Sequence, residues 1–268
     1  GGVREEGGEA QNDSDTNLNE DSYPETIVIG TAGQGGVYYI YGGGIAKLLE
    51  DHLNVRSNVE VTGGPVHNLQ LTSTKEMDIG MITLGPGYEA ITGKGDWTGG
   101  QKLENIRIIF PMYTTYFQWW APKSSGIATI EDTDGERVGT GPAGGTAATY
   151  IPSIYEVLGF KVEPVQAALS DLINQQMDGQ LNVIGTASGI PNAALTEFEV
   201  QKETNIFGVD GENRRKVLEA LPYFDEATIP AGTYEQQEGD IETISMFNFG
   251  ITHKEMNAEF IYDMVKTY

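Results

Sequence analysis

The chain has 268 residues, enough for one large or two medium domains with an ample core, and no apolar run approaches the roughly 20 residues that span a bilayer as a helix. Thirty-nine acidic side chains against 16 basic ones give a net charge of −23, which excludes DNA or RNA as a partner because phosphate binding needs basic patches. With no cysteine and three histidines (His52, His67, His253) that share no ligand spacing, disulfides, thiol nucleophiles, iron–sulfur clusters and Cys- or His-held metals are set aside.

Residues 1–25 carry eight carboxylates, one arginine and four apolar side chains, so residues 1–24 are expected to be an acidic tether without stable order. The chain opens Gly1-Gly2 into this polar stretch, without an initiating Met or an apolar leader, and so resembles a lipoprotein just past its lipidated cysteine. The acidity fits a saline or alkaline exterior and fits an ordinary acidic secreted protein equally well.

Order is predicted to begin near Pro24. A β-branched strand over 26–30 runs through Gly30-Thr31-Ala32-Gly33-Gln34-Gly35-Gly36 into a helix whose apolar face is Val37, Tyr41, Ile45, Leu48 and Leu49. A strand over 58–62 follows, then Gly63-Gly64-Pro65 opens a helix carrying Val66 and Leu69. A buried strand over 78–82 leads into a second elbow, Thr83-Leu84-Gly85-Pro86-Gly87-Tyr88. Strands are predicted at 107–111 and, rich in aromatics, at 116–121.

The scheme then repeats. A strand over 137–140 enters the elbow 139–146, with Gly144-Gly145-Thr146, and a helix over 146–158 that stops at Gly159. Next come a strand over 161–165, a helix over 168–177 and a strand over 181–185. A fourth elbow follows over 185–192, where Ser188 is suited to cap a helix and Pro191 to its first turn. The repeat reads as a duplicated βαβαβ unit. A late strand over 244–251 precedes a helix with Met256, Phe260, Met264 and Tyr268 on one face.

The run Thr31-Ala32-Gly33-Gln34-Gly35-Gly36-Val37-Tyr38-Tyr39 resembles that of TAXI proteins, the solute-binding subunits of one class of TRAP transporters. So do Val61-Thr62-Gly63-Gly64 with His67-Asn68-Leu69, the Asp78-Ile79-Gly80 strand, Gly144-Gly145-Thr146, and Thr228-Ile229-Pro230-Ala231-Gly232-Thr233-Tyr234. The likeness is collinear over about residues 25–268, and the family extends past the point where this chain stops. It implies an α/β, two-lobed periplasmic-binding-protein type II-like fold, each lobe a mostly parallel sheet flanked by helices with the ligand cleft between them. Lobe 1 is assigned to 25–121 plus 241–268 and lobe 2 to 122–240. The implied function is extracytoplasmic capture of a small organic anion or amino acid, glutamate-like or another carboxylate, by closure of the lobes. Delivery is to a TRAP-type membrane subunit by a monomeric protein in the periplasm or lipid-anchored at the outer face of the cell membrane. No cofactor and no catalytic residue is implied.

Ligands in such sheets sit at the carboxyl ends of strands, where the elbows lie. Candidate ligand-binding residues are therefore Thr31, Gln34, Gly35, Gly36, Tyr38, Tyr39, Thr62, Asn68 and Thr83 from the first half. Trp119, Gly144, Gly145, Thr146, Ser188 and Asn192 complete the set. Each has a plainer reading: the glycines permit tight packing, Thr62 and Asn68 cap the helix after Gly63-Gly64, and Thr83 and Ser188 act as N-caps. One of Tyr38 and Tyr39, and one of Trp119 and Trp120, belongs to the core, with Tyr39 and Trp119 favoured for the cleft. None of the six arginines (Arg4, Arg56, Arg107, Arg137, Arg214, Arg215) falls in an elbow, so backbone amides and hydroxyls are left to hold an anion.

Two rival classes stand beside this one. A nucleotide-dependent enzyme is poorly matched: the glycine fingerprint is loose, no acidic residue ends the second strand, and no Gly-x-Ser-x-Gly or Walker A run exists. A ligand-binding sensor domain of a signalling system is not separable from a transport protein by residues alone.

Overall fold

The computed structural model describes residues 23–34 and 36–268; the predicted tether lies outside these residues except for its last two positions, and so does Gly35. The first half runs β1 (Thr26–Gly30), α1 (Val37–Leu53), β2 (Arg56–Glu60), α2 (Pro65–Ser73), β3 (Ile79–Thr83) and α3 (Leu84–Thr92). After the long β4 (Ile106–Pro122) come β5 (Arg137–Gly139), α4 (Thr146–Leu158), β6 (Glu163–Val165), α5 (Leu169–Met177), β7 (Val183–Ser188) and α6 (Ala193–Gln201). The chain continues through β8 (Thr204–Phe207), α7 (Gly211–Ala220), β9 (Asp225–Ile229), a second long strand β10 (Ile241–His253) and α8 (Ala258–Thr267).

All ten strands join one mixed sheet, ordered β2-β1-β3-β10-β4-β7-β5-β6, with β8 added against β4 and β9 against β10. The two ends mirror one another. In each, the first strand of the half lies between the second and third, all parallel, and the third pairs antiparallel with a long strand. This is the arrangement a duplicated βαβαβ unit produces.

The long strands join the halves. Residues 106–116 of β4 pair with β10, whereas Tyr116–Trp120 pair with β7 and Trp119–Pro122 with β8. In β10, Ile241–Ser245 pair with β9 and Asn248–Thr252 with β3. The exchange falls at a bulge between Phe247 and Phe249, opposite Pro111. That bulge explains why one strand replaces the two expected at 107–111 and 116–121. Proline cannot donate to a ladder and so looks like a strand end, but an irregular pairing accommodates it without breaking the strand.

Asn248, fully buried, fills the bulge. It accepts from the Tyr38 hydroxyl (2.6 Å) and donates to the Tyr113 carbonyl (2.7 Å) and Thr115 Oγ1 (2.6 Å). Replacing Asn248 by Ala strands three buried polar groups, and each costs about 1–3 kcal/mol when left unmade. Asn248→Ala is expected to lower the urea midpoint with an unchanged slope; an unchanged midpoint would show that water replaces the side chain.

Apolar residues build two cores on opposite faces of the second half. Trp119 packs with Val138, Ile151 and Tyr155, and its neighbour Trp120 with Leu172, Ile184 and Phe198; both are fully buried. A third core lies under α1, where Tyr38, Ile45, Leu49 and Leu53 are buried and Val37 is exposed, so the buried face is turned from the expected one. Two boundaries also move. β2 ends at Glu60 because Thr62 turns back onto the Thr31 carbonyl, 2.9 Å away. α6 begins at Ala193, after the cis Ile190–Pro191 bond, with Asn192 and not Ser188 as its cap: Asn192 Oδ1 accepts from the amides of Ala194 and Leu195.

Candidate functional site

The first residues before α1, α2, α3 and α4 are Gly36, Gly64, Thr83 and Gly145, and none offers a side-chain cap. Helices α6 and α8 are capped by Asn192 and Asn257. Because α5 and α7 also lack a side-chain cap, the meaning of the other four rests on where they begin. Three begin together. Thr83 Oγ1, at the start of α3, lies 3.2 Å from Thr146 Oγ1 at the start of α4. At the start of α2, a Cβ on Gly64 would lie 3.1 Å from the Gly144 carbonyl, and one on Gly144 would lie 3.0 Å from the Gly63 carbonyl. Both glycines sit at positive φ (104° and 82°), so no other residue type meets both the conformation and the approach without strain. Two first-half helices and one second-half helix thus bring the positive ends of their dipoles to one place; α2 and α4 add uncapped N–H groups, whereas on α3 the Gly85 amide donates to Met246 Sδ (3.2 Å) and Pro86 has none to offer.

The named first-half side chains brace this junction. The Thr31 hydroxyl donates to the Glu60 carbonyl (2.7 Å), and Asn68 Nδ2 donates to the carbonyls of Thr31 (2.7 Å) and Met81 (2.8 Å). Thr62 Oγ1 stands 2.7 Å from Asn68 Oδ1 and accepts from the Gly64 amide at 3.1 Å. These contacts tie the ends of β1 and β3 to the start of α2. Gln34 and Gly36 are exposed; Tyr38 is spent on Asn248, and Tyr39 is half-buried beside it on α1. Ser188 and Asn192 form a separate group. Asn192 Nδ2 donates to Ser188 Oγ (2.9 Å), and the Asn192 amide donates to the Tyr234 hydroxyl (2.8 Å), which in turn donates to Gln118 Oε1 (2.7 Å). Trp119 lies in the core, its ring against Gly185. Thr140 and Thr186, which the sequence reading did not single out, are buried with hydroxyls that make no hydrogen bond.

Beside the junction lies a cavity of about 360 Å³. The first half contributes Val66, Glu89, Asp96 and Trp97, and the second Gly144, Thr149, Tyr150 and Ser153. Of the residues named from the sequence only Gly144 is among them. Glu89 Oε2 accepts from Trp97 Nε1 at 2.6 Å. The Tyr150 ring reaches across to α3, where a Cβ on Gly85 would lie 2.5 Å from its Cζ. Only the Gly85-Pro86-Gly87 spacing at the start of α3 hints at this approach; Glu89 and Tyr150 carry no local signal. Among the described residues there is no group of three or more His, Asp or Glu placed to hold a metal ion, and no helix long and apolar enough to cross a membrane.

Burial raises the phenol pKa of Tyr38, Tyr113, Tyr150 and Tyr155, and pushes that of Tyr223 up to about 12 with added repulsion from Glu89 and Tyr88. In the unfolded chain these phenols ionise near pH 10, so above that pH the unfolded state has lost protons that the fold retains. Stability that is complete below about pH 10 is therefore expected to fall as pH rises towards about 12. Denaturation midpoints across that interval check this, and a flat profile would mean that water reaches the rings.

Several solved structures share the fold. MatC from Rhodopseudomonas palustris with bound malate superposes with a TM-score of 0.60 at 10% identity, over 90% of this chain and 82% of that one. The GluR0 ligand-binding core complexed with L-glutamate gives 0.57 at 10% identity, over 90% of each chain. The alkanesulfonate-binding protein SsuA from Xanthomonas axonopodis pv. citri bound to MOPS gives 0.55 at 12%, over 91% and 72%. Together they establish an α/β fold of the periplasmic-binding-protein type II kind, with a mixed sheet and flanking helices. The NMT1-like family matches residues 29–268, nearly all of the described residues. The chain belongs to the NMT1-like family.

Proposed function

We propose that this is an extracytoplasmic solute-binding protein of the TAXI kind, which closes its two halves on a small amino acid or organic carboxylate and delivers it to a TRAP-type membrane subunit. The observation that carries this reading is the meeting of the α2, α3 and α4 N-termini across the two halves, marked by the 3.2 Å approach of Thr83 and Thr146. Each helix end contributes roughly 0.3–1 kcal/mol to an anion, and up to about 2 when partly buried. Three ends with charge-assisted hydrogen bonds come near the roughly 8 kcal/mol of a micromolar complex. The lobes, bounded from the sequence at 25–121 with 241–268 and at 122–240, divide within β4 and β10, with Phe117–Ala121 and Ile244–Met246 packing in the second half. They turn about the point where β4 and β10 exchange partners, at Asn248 and its bulge. The protein acts as a monomer outside the cytoplasm, in the periplasm or lipid-anchored at the outer face of the cell membrane.

A thermal-shift screen of amino acids and C4–C5 carboxylates, repeated in high salt, tests the reading, with small-angle scattering on each hit. A ligand that raises the melting temperature and shrinks the radius of gyration supports it. A full panel without a shift would defeat it. Ligand-dependent uptake in vesicles holding a TRAP-type membrane subunit tests the partner.

A further inference from the structure

The geometry points to an aromatic clasp outside the cavity: the ring of Tyr88 on α3 closes against the ring of Tyr223 in the second half, and this pair sets how readily the two halves part. Its role rests on the reading of the protein as a solute binder that closes, and adds what governs the closure.

Contacts between the halves follow one another along α3. At its start Thr83 pairs with Asn248, where β10 changes partners, and its hydroxyl faces Thr146. Two residues on, the Gly85 amide donates to Met246 Sδ (3.2 Å), and Gly85 lies against the Tyr150 ring. Tyr88 comes one turn later, roughly 7 Å along the helix axis from Thr83. Its ring centre is 6.1 Å from that of Tyr223, with the planes tilted by 49°. A rotation at Asn248 displaces each contact in proportion to its distance from the axis, so opening pulls Tyr88 and Tyr223 apart most. Each ring is fixed within its own half. Tyr223, on the connection between α7 and β9, packs on Tyr150 at 5.1 Å and on Phe224 at 5.2 Å, and Phe224 is buried edge-on against Phe117 at 5.0 Å. On α3 the Thr92 hydroxyl donates to the Tyr88 carbonyl (2.7 Å), and the Lys94 ammonium lies 6.0 Å from the centre of the Tyr88 ring. The Tyr223 phenol, pushed up to about 12 by burial and by Glu89 and Tyr88, stays neutral, so no charge opposes the ring contact. Neither ring is among the residues that line the cavity, so the clasp can break without taking a contact from a solute. One aromatic pair of this kind moves a two-state equilibrium about 2- to 10-fold.

Hydrogen exchange at the Gly85 amide, followed by NMR on the full chain with no solute added, reads the result. The partner of that amide is Met246 in the second half, so exchange requires the halves to part and its rate scales with the open fraction. Tyr88→Ala and Tyr223→Ala are each expected to speed it about 2- to 10-fold. The double variant is expected to stay within about twofold of the faster single one, because the two substitutions remove the same contact. Tyr223→Phe keeps the ring and leaves the rate unchanged. The amides of Thr31 and Thr140, bonded at 3.0 Å to the carbonyls of Glu60 and Val165 within one half each, are expected to hold their wild-type rates in every variant. An unchanged Gly85 rate in either alanine variant, factors that multiply in the double variant, or Thr31 and Thr140 speeding up with Gly85 overturns the clasp. No solute takes part, so such a result leaves solute binding to its own screen, and a panel without binders leaves these rates as they are.

Discussion

Gly144→Asp is expected to weaken ligand binding by roughly 100-fold or more, with the chain still folded. Gly144 sits at φ 82° with its α-carbon turned toward the other half, and a Cβ there would lie 3.0 Å from the Gly63 carbonyl. Aspartate tolerates the left-handed conformation better than most residues, at about 1 kcal/mol, so the fold survives. Two effects remain. The Cβ wedges the elbows apart, and the new carboxylate sits where the N-termini of α2, α3 and α4 meet, occupying the place of the ligand's own charge. Gly144→Ala carries the wedge without the charge, and its loss is expected to be about tenfold. Calorimetry with the best ligand and a melting curve of each variant separate binding from folding. Wild-type affinity in Gly144→Asp would show that the junction is not the anion site.

Gly85→Val is the matching test of closure. Gly85 is the second residue of α3, and its would-be Cβ lies 2.5 Å from Cζ and 2.6 Å from the hydroxyl of Tyr150 on α4. That ring cannot retreat cheaply: it makes T-shaped contacts with Tyr223 at 5.1 Å and Phe224 at 6.2 Å. Overpacking of this kind costs about 1–3 kcal/mol, and separating α3 from α4 relieves it without unpacking either half. The variant is expected to show a larger radius of gyration in the presence of ligand and an affinity lower by about 10- to 100-fold, the fraction of closed molecules having dropped. Tyr150→Ala in the same chain is expected to restore compaction, which identifies the ring as the obstacle. An unchanged radius and affinity in Gly85→Val would mean that the two helices do not meet in the bound state.

The elements that carry regular periodicity were legible in the sequence. β1, β3 and α4 are found within two residues of the predicted ends and α2 opens at Pro65 as expected, because an apolar run or a glycine elbow marks each. β8 and β9 were not anticipated: Thr204–Phe207 and Asp225–Ile229 are short, half-exposed strands that exist only because β4 and β10 offer free edges. The junction of the halves was legible in part. Thr83, Gly144 and Thr146, named from the sequence, stand there because glycines and strand ends announce an elbow locally, whereas Gly64, which joins them, was not named. The cavity was not. Glu89, Trp97 and Tyr150 come from a helix face, a short 3₁₀ turn and a core-like position, and only the packing of α3 against α4 brings them together. Side-chain periodicity reports what one element buries, and says nothing about which element lies opposite.

The way β10 enters the sheet also bears on how the protein is made. β3 is complete by residue 83, but its inner neighbour is drawn from residues 248–252, and the central β4 waits for the same strand. Pairings so distant along the chain are slow to form, because a long loop must close before any contact rewards it. A ribosome therefore releases the chain through residue 252 before the first half has its full set of neighbours, and until then the newborn chain stays threadable.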